Sequence, residues 1–597
     1  MRYLKNIFVA LLIALPLSNF AQSILNEKSL DKKLKQLQEA TQTVGFSVAV
    51  VKGNEVIYAK GFGFSDLEKG HKVNENTLFP IGSTSKAFTT ALLGIMEDEK
   101  GLKFTDSPRK YLPELEFYND ELNNTVTILD MVSHRTGLPR HDFSWYLFPS
   151  ESKDTLLARI QYHEPFTGIR EHWYYNNFMY LAQGLITEKL TGKSWEDNIR
   201  ERFFKPLKME RSNLTIDELV EQDNVSKGYA LQNFETNEVM PYYNIAAISP
   251  AGSINSSVSE MANWLKIWLN NGKLNDEQIL PAKYVEKAVN PLMLIGGGIS
   301  DPQFPSQHLN SYGYAWFTSS YKGHYRLEHG GNIDGFSANV ALFPSDKIGI
   351  VVLSNQNGSA LPTLVRNAIS DEVFDVEKTD WNGYYKKRIS KLKKQLKDKK
   401  QSEEDSKVSA TTPSHSLVEY TGKYSHKGYG SFQIELINDS LWANFTREKA
   451  FLGHVHYDVF KPYLISNNKI SNEGIGFNMN FLTNDLGDIE SVKLKLEPTL
   501  EPLVFIRTPL ELAISNDDLN KYVGQYILSG AELSISIKAD YLTLLVPGQP
   551  EYTLIPIKEN EFSIKGITGY KAEFKMNDGK YNLVLHQPNG VFTAVKK

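Results

Sequence analysis

Residues Thr77-Leu78-Phe79-Pro80-Ile81-Gly82-Ser83-Thr84-Ser85-Lys86 decide how this chain is read. A strand-like segment ends at Gly82, after which Ala87, Phe88, Ala91, Leu92 and Ile95 recur at helical spacing. Ser83 thus opens an apolar helix, with Lys86 one turn on and facing the same way. A serine hydroxyl is a poor nucleophile until a base takes its proton, and burial depresses a lysine's pKa enough for the neutral amine to be that base. The helix N-terminus also offers backbone N–H groups to a developing oxyanion. The same Ser-x-x-Lys spacing occurs at Ser29, Ser150 and Ser390, but only Ser83 lies between a strand and an apolar helix.

Two further motifs follow. Tyr175-Asn176-Asn177 precedes a second helical pattern of Phe178, Leu181, Ala182, Leu185 and Ile186. It supplies a phenol that can share a proton and an amide that can hold a substrate carbonyl. His329-Gly330-Gly331 precedes the strand-like runs Val340 to Phe343 and Ile348 to Leu353, and its glycines permit close approach of a substrate along the strand. Phe46 to Val51, the turn Gly53-Asn54 and Val56 to Tyr58 read as a hairpin. Strands at both ends and helices between them predict an α+β domain whose first and last strands share one sheet.

In this order, and with Ser133-His134-Arg135-Thr136-Gly137-Leu138, the motifs resemble the serine beta-lactamase and penicillin-binding protein superfamily, in its class C-like branch, over residues 30–375. The resemblance implies a beta-lactamase-like catalytic domain, an antiparallel sheet with flanking helices and a helical subdomain. It implies that Ser83 is the acylated nucleophile, Lys86 its partner and Tyr175 the general base or proton relay. Asn177 would bind a substrate amide, and the segment from His329 to Gly331 would align substrate. The backbone N–H groups of Ser83 and Asn332 would form the oxyanion hole. Many penicillin-recognising members carry lysine where this chain has His329. A mostly neutral imidazole weakens the pull on a substrate carboxylate and favours ester, amide or aminopeptidase substrates, with mild acid expected to restore some of that pull. A catalytic domain followed by two β domains is also similar to the D-aminopeptidases of the superfamily.

The 597 residues exceed what one core holds, and three folded units are expected. A net charge of -5 gives no field for nucleic acid. Arg2 and Lys5 ahead of the apolar run Ile7 to Leu17, with Ala21 before Gln22, read as a signal peptide over 1–21, hence a periplasmic or secreted protein. No later segment is long and apolar enough to span a bilayer. The absence of cysteine excludes disulfides and a thiol nucleophile. The catalytic domain is expected over 22–380, a basic helical linker over 381–414, and β-rich domains over 415–512 and 513–597. Leu417, Tyr420, Gly422 and Tyr424 recur as Leu519, Tyr522, Gly524 and Tyr526, which predicts two related small barrels, separable from the catalytic domain.

The function expected is an exported serine hydrolase that forms an acyl-enzyme through Ser83 on a peptide, amide or ester, with cell-wall fragments among the candidate substrates and no cofactor or metal. The alternatives are a non-catalytic penicillin-binding sensor or cell-wall binding protein, and a true beta-lactamase or D-Ala-D-Ala carboxypeptidase.

Overall fold

The apolar run from Phe46 to Val51 is unbroken because its strand is covered on both faces. In the computed structural model, which describes residues 25–299, 304–405, 408, 411–466, 469–471, 474–567 and 569–597, the strand Gly45–Lys52 turns at Gly53 into Glu55–Asp66. Its other edge pairs antiparallel with Ile348–Ser354, so the first and last strands do share a sheet. Phe46, Val48 and Val50 pack under the helices Glu27–Thr41 and Leu361–Val373, while Ala49 and Val51 face the larger core containing Lys86–Lys100, Phe178–Thr191 and Val258–Leu269. A strand buried on both faces loses the polar alternation of a half-exposed one. The sheet has nine antiparallel strands, with His324–Ile333 beside Phe336–Phe343 near its middle.

The basic stretch forms a helix, Trp381–Asp405, anchored by Trp381, which is buried in the sheet layer and stacks on Phe304 at 5.8 Å. No described helix is long and apolar enough to cross a membrane. The segment 1–21 expected as a signal peptide lies outside the described residues.

Beyond the helix come two antiparallel barrels. The first closes eight strands between Gly422 and Thr508 through the pairing of Lys449–His456 with Val459–Ser466, and the two-residue strand Lys469–Ile470 adds to its rim. The second closes eight strands from Gly524–Leu528 to Gly590–Lys596. The faint sequence repeat marks one structural device made twice. Tyr424 Oη donates to the Tyr420 carbonyl at 2.8 Å, and Tyr526 Oη to the Tyr522 carbonyl at 2.6 Å. In both barrels the earlier tyrosine's hydroxyl reaches across to a polar side chain, Asp458 in the first and Asn560 in the second. The fold is thus the expected α+β catalytic unit followed by two antiparallel barrels.

Against the expected separability, the first barrel shares its core with the catalytic unit. Leu147 and Phe148 of the catalytic unit are 5% and 1% exposed and belong to that barrel's core, where Phe148 lies 5.5 Å from Phe505 and 5.9 Å from Phe445 between ring centres. Polar contacts seal the junction: His141 Nδ1 with Tyr429 Oη at 2.8 Å, and Ser144 Oγ donating to the Gly428 carbonyl at 2.7 Å. A small barrel gains core volume by taking in two apolar side chains, and the loop that supplies them is pinned in return.

Candidate active site

Ser83 lies in a 3-10 turn, Gly82–Ser85, that runs into the helix Lys86–Lys100. This turn packs against the strand His324–Ile333 so closely that a Cβ on Gly331 would stand 2.0 Å from the Ile81 carbonyl oxygen. Gly82 has φ 53°, in the left-handed region, and a Cβ there would stand 2.9 Å from Asn332 N. Only glycine at both positions brings the backbone of Ser83 beside that of Asn332.

Lys86 is fully buried, and its Nζ lies 3.1 Å from Ser83 Oγ. It donates to Asn177 Oδ1 and to the Ala251 carbonyl, each at 2.7 Å. Both are pure acceptors and hold two N–H bonds, so a neutral amine keeps its lone pair for the Ser83 hydroxyl proton. Burial, seconded by the positive charge of Arg140, depresses the Lys86 pKa well below the usual amine range, while Asp142 opposes the shift.

The Tyr175 hydroxyl lies beside Ser83, buried and without a hydrogen-bond partner among the described residues. Burial raises its pKa, while Ser83 and Arg140 act to lower it. The ring centre is 4.8 Å from Lys86 Nζ, and Arg140 Cζ lies at the same distance from it. Asn176 fixes the neighbouring loop, its N–H donating to His134 Nδ1 at 3.1 Å and its Nδ2 to the Pro139 carbonyl at 2.6 Å.

The structure brings Ser83, Tyr175, His329, Gly331 and Asn332 to one cleft of about 670 Å³. Asn177 stands behind it. Its Oδ1 accepts from Lys86 and its Nδ2 donates to Asp142 Oδ1 at 2.8 Å, which fixes the amide's orientation and spends one of the two Nδ2 N–H groups. The Asn332 side chain is likewise engaged, with Oδ1 accepting from Ser337 Oγ at 2.9 Å and from Gly358 N at 2.7 Å. That leaves its backbone as the part available to an oxyanion.

His329 departs from the electrostatic expectation. It is 2% exposed, its Nδ1 lies 2.6 Å from the Gly330 carbonyl oxygen and its Nε2 lies 3.0 Å from Tyr312 Oη. The carbonyl can only accept, so Nδ1 carries the proton and Nε2 accepts from the phenol. Burial and the nearby Lys86 push its pKa down to about 3. Mild acid therefore leaves it neutral, contrary to the expected recovery of charge.

Sequence reasoning missed Arg140, Asp142 and Glu497. Asp142 Oδ1 also accepts from Trp145 Nε1 at 2.8 Å, and its Oδ2 accepts from Arg140 Nε at 2.5 Å. Glu497 comes from the first barrel, is 4% exposed, and has its pKa pushed up to about 7 by burial and by Asp142. Its proton is retained in the folded chain from the ordinary glutamate value of 4.5 up to about 7. Stability should therefore fall as pH rises through that window. Glu497→Gln is expected to raise Tm at about pH 8 and to leave it nearly unchanged at about pH 5. Thermal unfolding at both values checks this, and equal shifts would remove Glu497 as the cause.

Comparison with known proteins adds the relatives. The family model described as Beta-lactamase matches residues 30–372, and one described as Domain of unknown function (DUF3471) matches residues 406–507. The unguisins hydrolase ungD' of Aspergillus campestris (strain IBT 28561) is 29% identical over 420 residues, 67% of this chain and 76% of that protein. Protein flp of Staphylococcus aureus (strain N315) is 26% identical over 352 residues, 57% of this chain and 66% of that protein. Among solved structures, the octameric penicillin-binding protein homologue from Pyrococcus abyssi aligns with a TM-score of 0.53 at 21% identity, over 80% of this chain and 100% of that one. That likeness is one of fold.

Proposed function

The chain belongs to the beta-lactamase family of serine hydrolases, and on that premise we propose that it is an exported enzyme that forms an acyl-enzyme through Ser83 on ester, amide or peptide substrates. The observation that carries this reading is the Lys86 amine, whose hydrogen-bond partners among the described residues are two carbonyl acceptors and the Ser83 hydroxyl. Lys86 takes the Ser83 proton as Oγ attacks the substrate carbonyl. The backbone N–H groups of Ser83 and Asn332 stabilise the oxyanion, and Tyr175, with its hydroxyl unengaged beside Ser83, relays to the leaving group the proton that Lys86 took up, so that both end as they began. Water then attacks the acyl group and regenerates the serine. A relative named as a hydrolase of unguisins supports hydrolysis over mere binding.

The test is pre-steady-state kinetics with a chromogenic ester. A burst equal to the enzyme concentration followed by steady turnover, with the acyl mass on Ser83, supports the proposal. One stoichiometric acylation without turnover would point to a sensor instead. Lys86→Ala and Tyr175→Phe are each expected to lower kcat by about two orders of magnitude. The base works unprotonated, so activity is lost as pH falls through its lowered pKa. kcat/KM should therefore persist well below the ordinary lysine range, at pH values where an unshifted amine would already have been protonated.

A further inference from the structure

Arg140 is the one charged residue among the described residues that line the cleft. Its Nε is anchored on Asp142 and its guanidinium lies over the Tyr175 ring, yet neither Nη has a hydrogen-bond partner among the described residues. The side chain is 48% exposed, so the free edge of the fork is open to solvent. A planar guanidinium held on one edge presents two N–H donors on the other, the geometry that takes a carboxylate with two bonds.

The groups around it leave that charge available. Asp142 spends Oδ1 on Asn177 and Trp145 and meets Arg140 through Oδ2 alone. Glu497, the other carboxyl facing Arg140, is held substantially protonated near neutrality by its burial. Tyr175 stays a phenol, and Lys86 is turned toward Ser83, Asn177 and Ala251. His329 is neutral and tied at both nitrogens. An anionic substrate entering the cleft therefore meets one positive group.

We propose that Arg140 is the anion anchor of this active site and that its substrates carry a free carboxylate within reach of the Nη fork. The charge missing at His329 is supplied by Arg140 beside the Tyr175 ring, on the segment that the first barrel pins. Selection of this kind presupposes hydrolysis through Ser83.

The test uses the full chain and two matched pairs of chromogenic esters. One pair carries a carboxylate or a carboxamide on the leaving phenol. The other carries the same two groups on the acyl chain, as in a succinate monoester against its succinamate. The wild type is expected to favour the carboxylate member of at least one pair in kcat/KM, and high salt should shrink that preference. Arg140→Met should lower the carboxylate-to-carboxamide ratio by about tenfold or more, and Arg140→Lys should keep part of it. A ratio unmoved by Arg140→Met in both pairs overturns the proposal, even where both members slow together, since that pattern would mean Arg140 acts only on Tyr175. Should Arg140→Met fail to fold, inhibition of the wild type decides: benzoate should compete at lower concentration than benzamide, with the gap closing in high salt, and equal potency overturns the proposal. Undiminished turnover by Ser83→Ala would instead sink the serine-hydrolase reading, a result read independently of the ratios.

Discussion

Ser83→Ala is expected to lower kcat by about three orders of magnitude or more and to abolish covalent labelling by a serine-reactive phosphonate, because among the described residues no other hydroxyl hydrogen-bonds the Lys86 amine. The fold should survive. The lost atom is one small half-buried oxygen, and Lys86 keeps its two carbonyl acceptors. The change in unfolding free energy is expected within about 0.5 kcal/mol, the usual range for substitutions that break no buried network. Intact-protein mass after labelling, measured beside thermal unfolding, checks both halves. Labelling of the variant at the wild-type rate would place the nucleophile elsewhere.

The second large effect lies at the junction with the first barrel. Phe148→Ala is expected to destabilise the protein by about 3–5 kcal/mol, the range for truncating a fully buried phenylalanine. Its ring is surrounded by Phe432, Phe445 and Phe505 of the barrel, and its carbonyl accepts from Arg159 Nη1 at 2.7 Å. Activity should fall with stability through a traceable route. The segment ending at Phe148 also carries Asp142, Asp142 orients the Asn177 amide, and Asn177 Oδ1 holds Lys86. Deleting residues 411–597 should do the same more severely, exposing Leu147 and Phe148 and leaving a fragment that aggregates or hydrolyses even small esters poorly. Urea unfolding of the point variant and size-exclusion of the fragment are the measurements. A monomeric, fully active fragment would show that the barrel lends the site nothing.

Much of this molecule was legible along the chain because the relevant physics is local. Ser83 and Lys86 meet through a single helical turn. The pairing of strands at the two ends of the catalytic unit follows from apolar runs that need cover on both faces. The barrel repeat is visible because each tyrosine bonds a carbonyl four residues before it. Gly331 was legible as a close approach, although which backbone it approaches was not.

What the tertiary structure alone decided concerns charge and support. His329 carries no mark in sequence of a pKa near 3, since that follows from burial among Tyr312, Lys86 and the strand. That the Asn177 amide is oriented by Lys86 at one end and Asp142 at the other could be read only from the folded chain. Arg140, Asp142 and Phe148 lie in a segment with no period or motif, and the contacts that pin that segment to the first barrel come from far away in sequence, Tyr429 being 288 residues from His141. Sequence patterning reports contacts within a helical turn or along one strand. An ion pair, a buried dipole or a side chain lent to another unit's core depends on which distant surfaces meet, and only the folded chain brings those surfaces together.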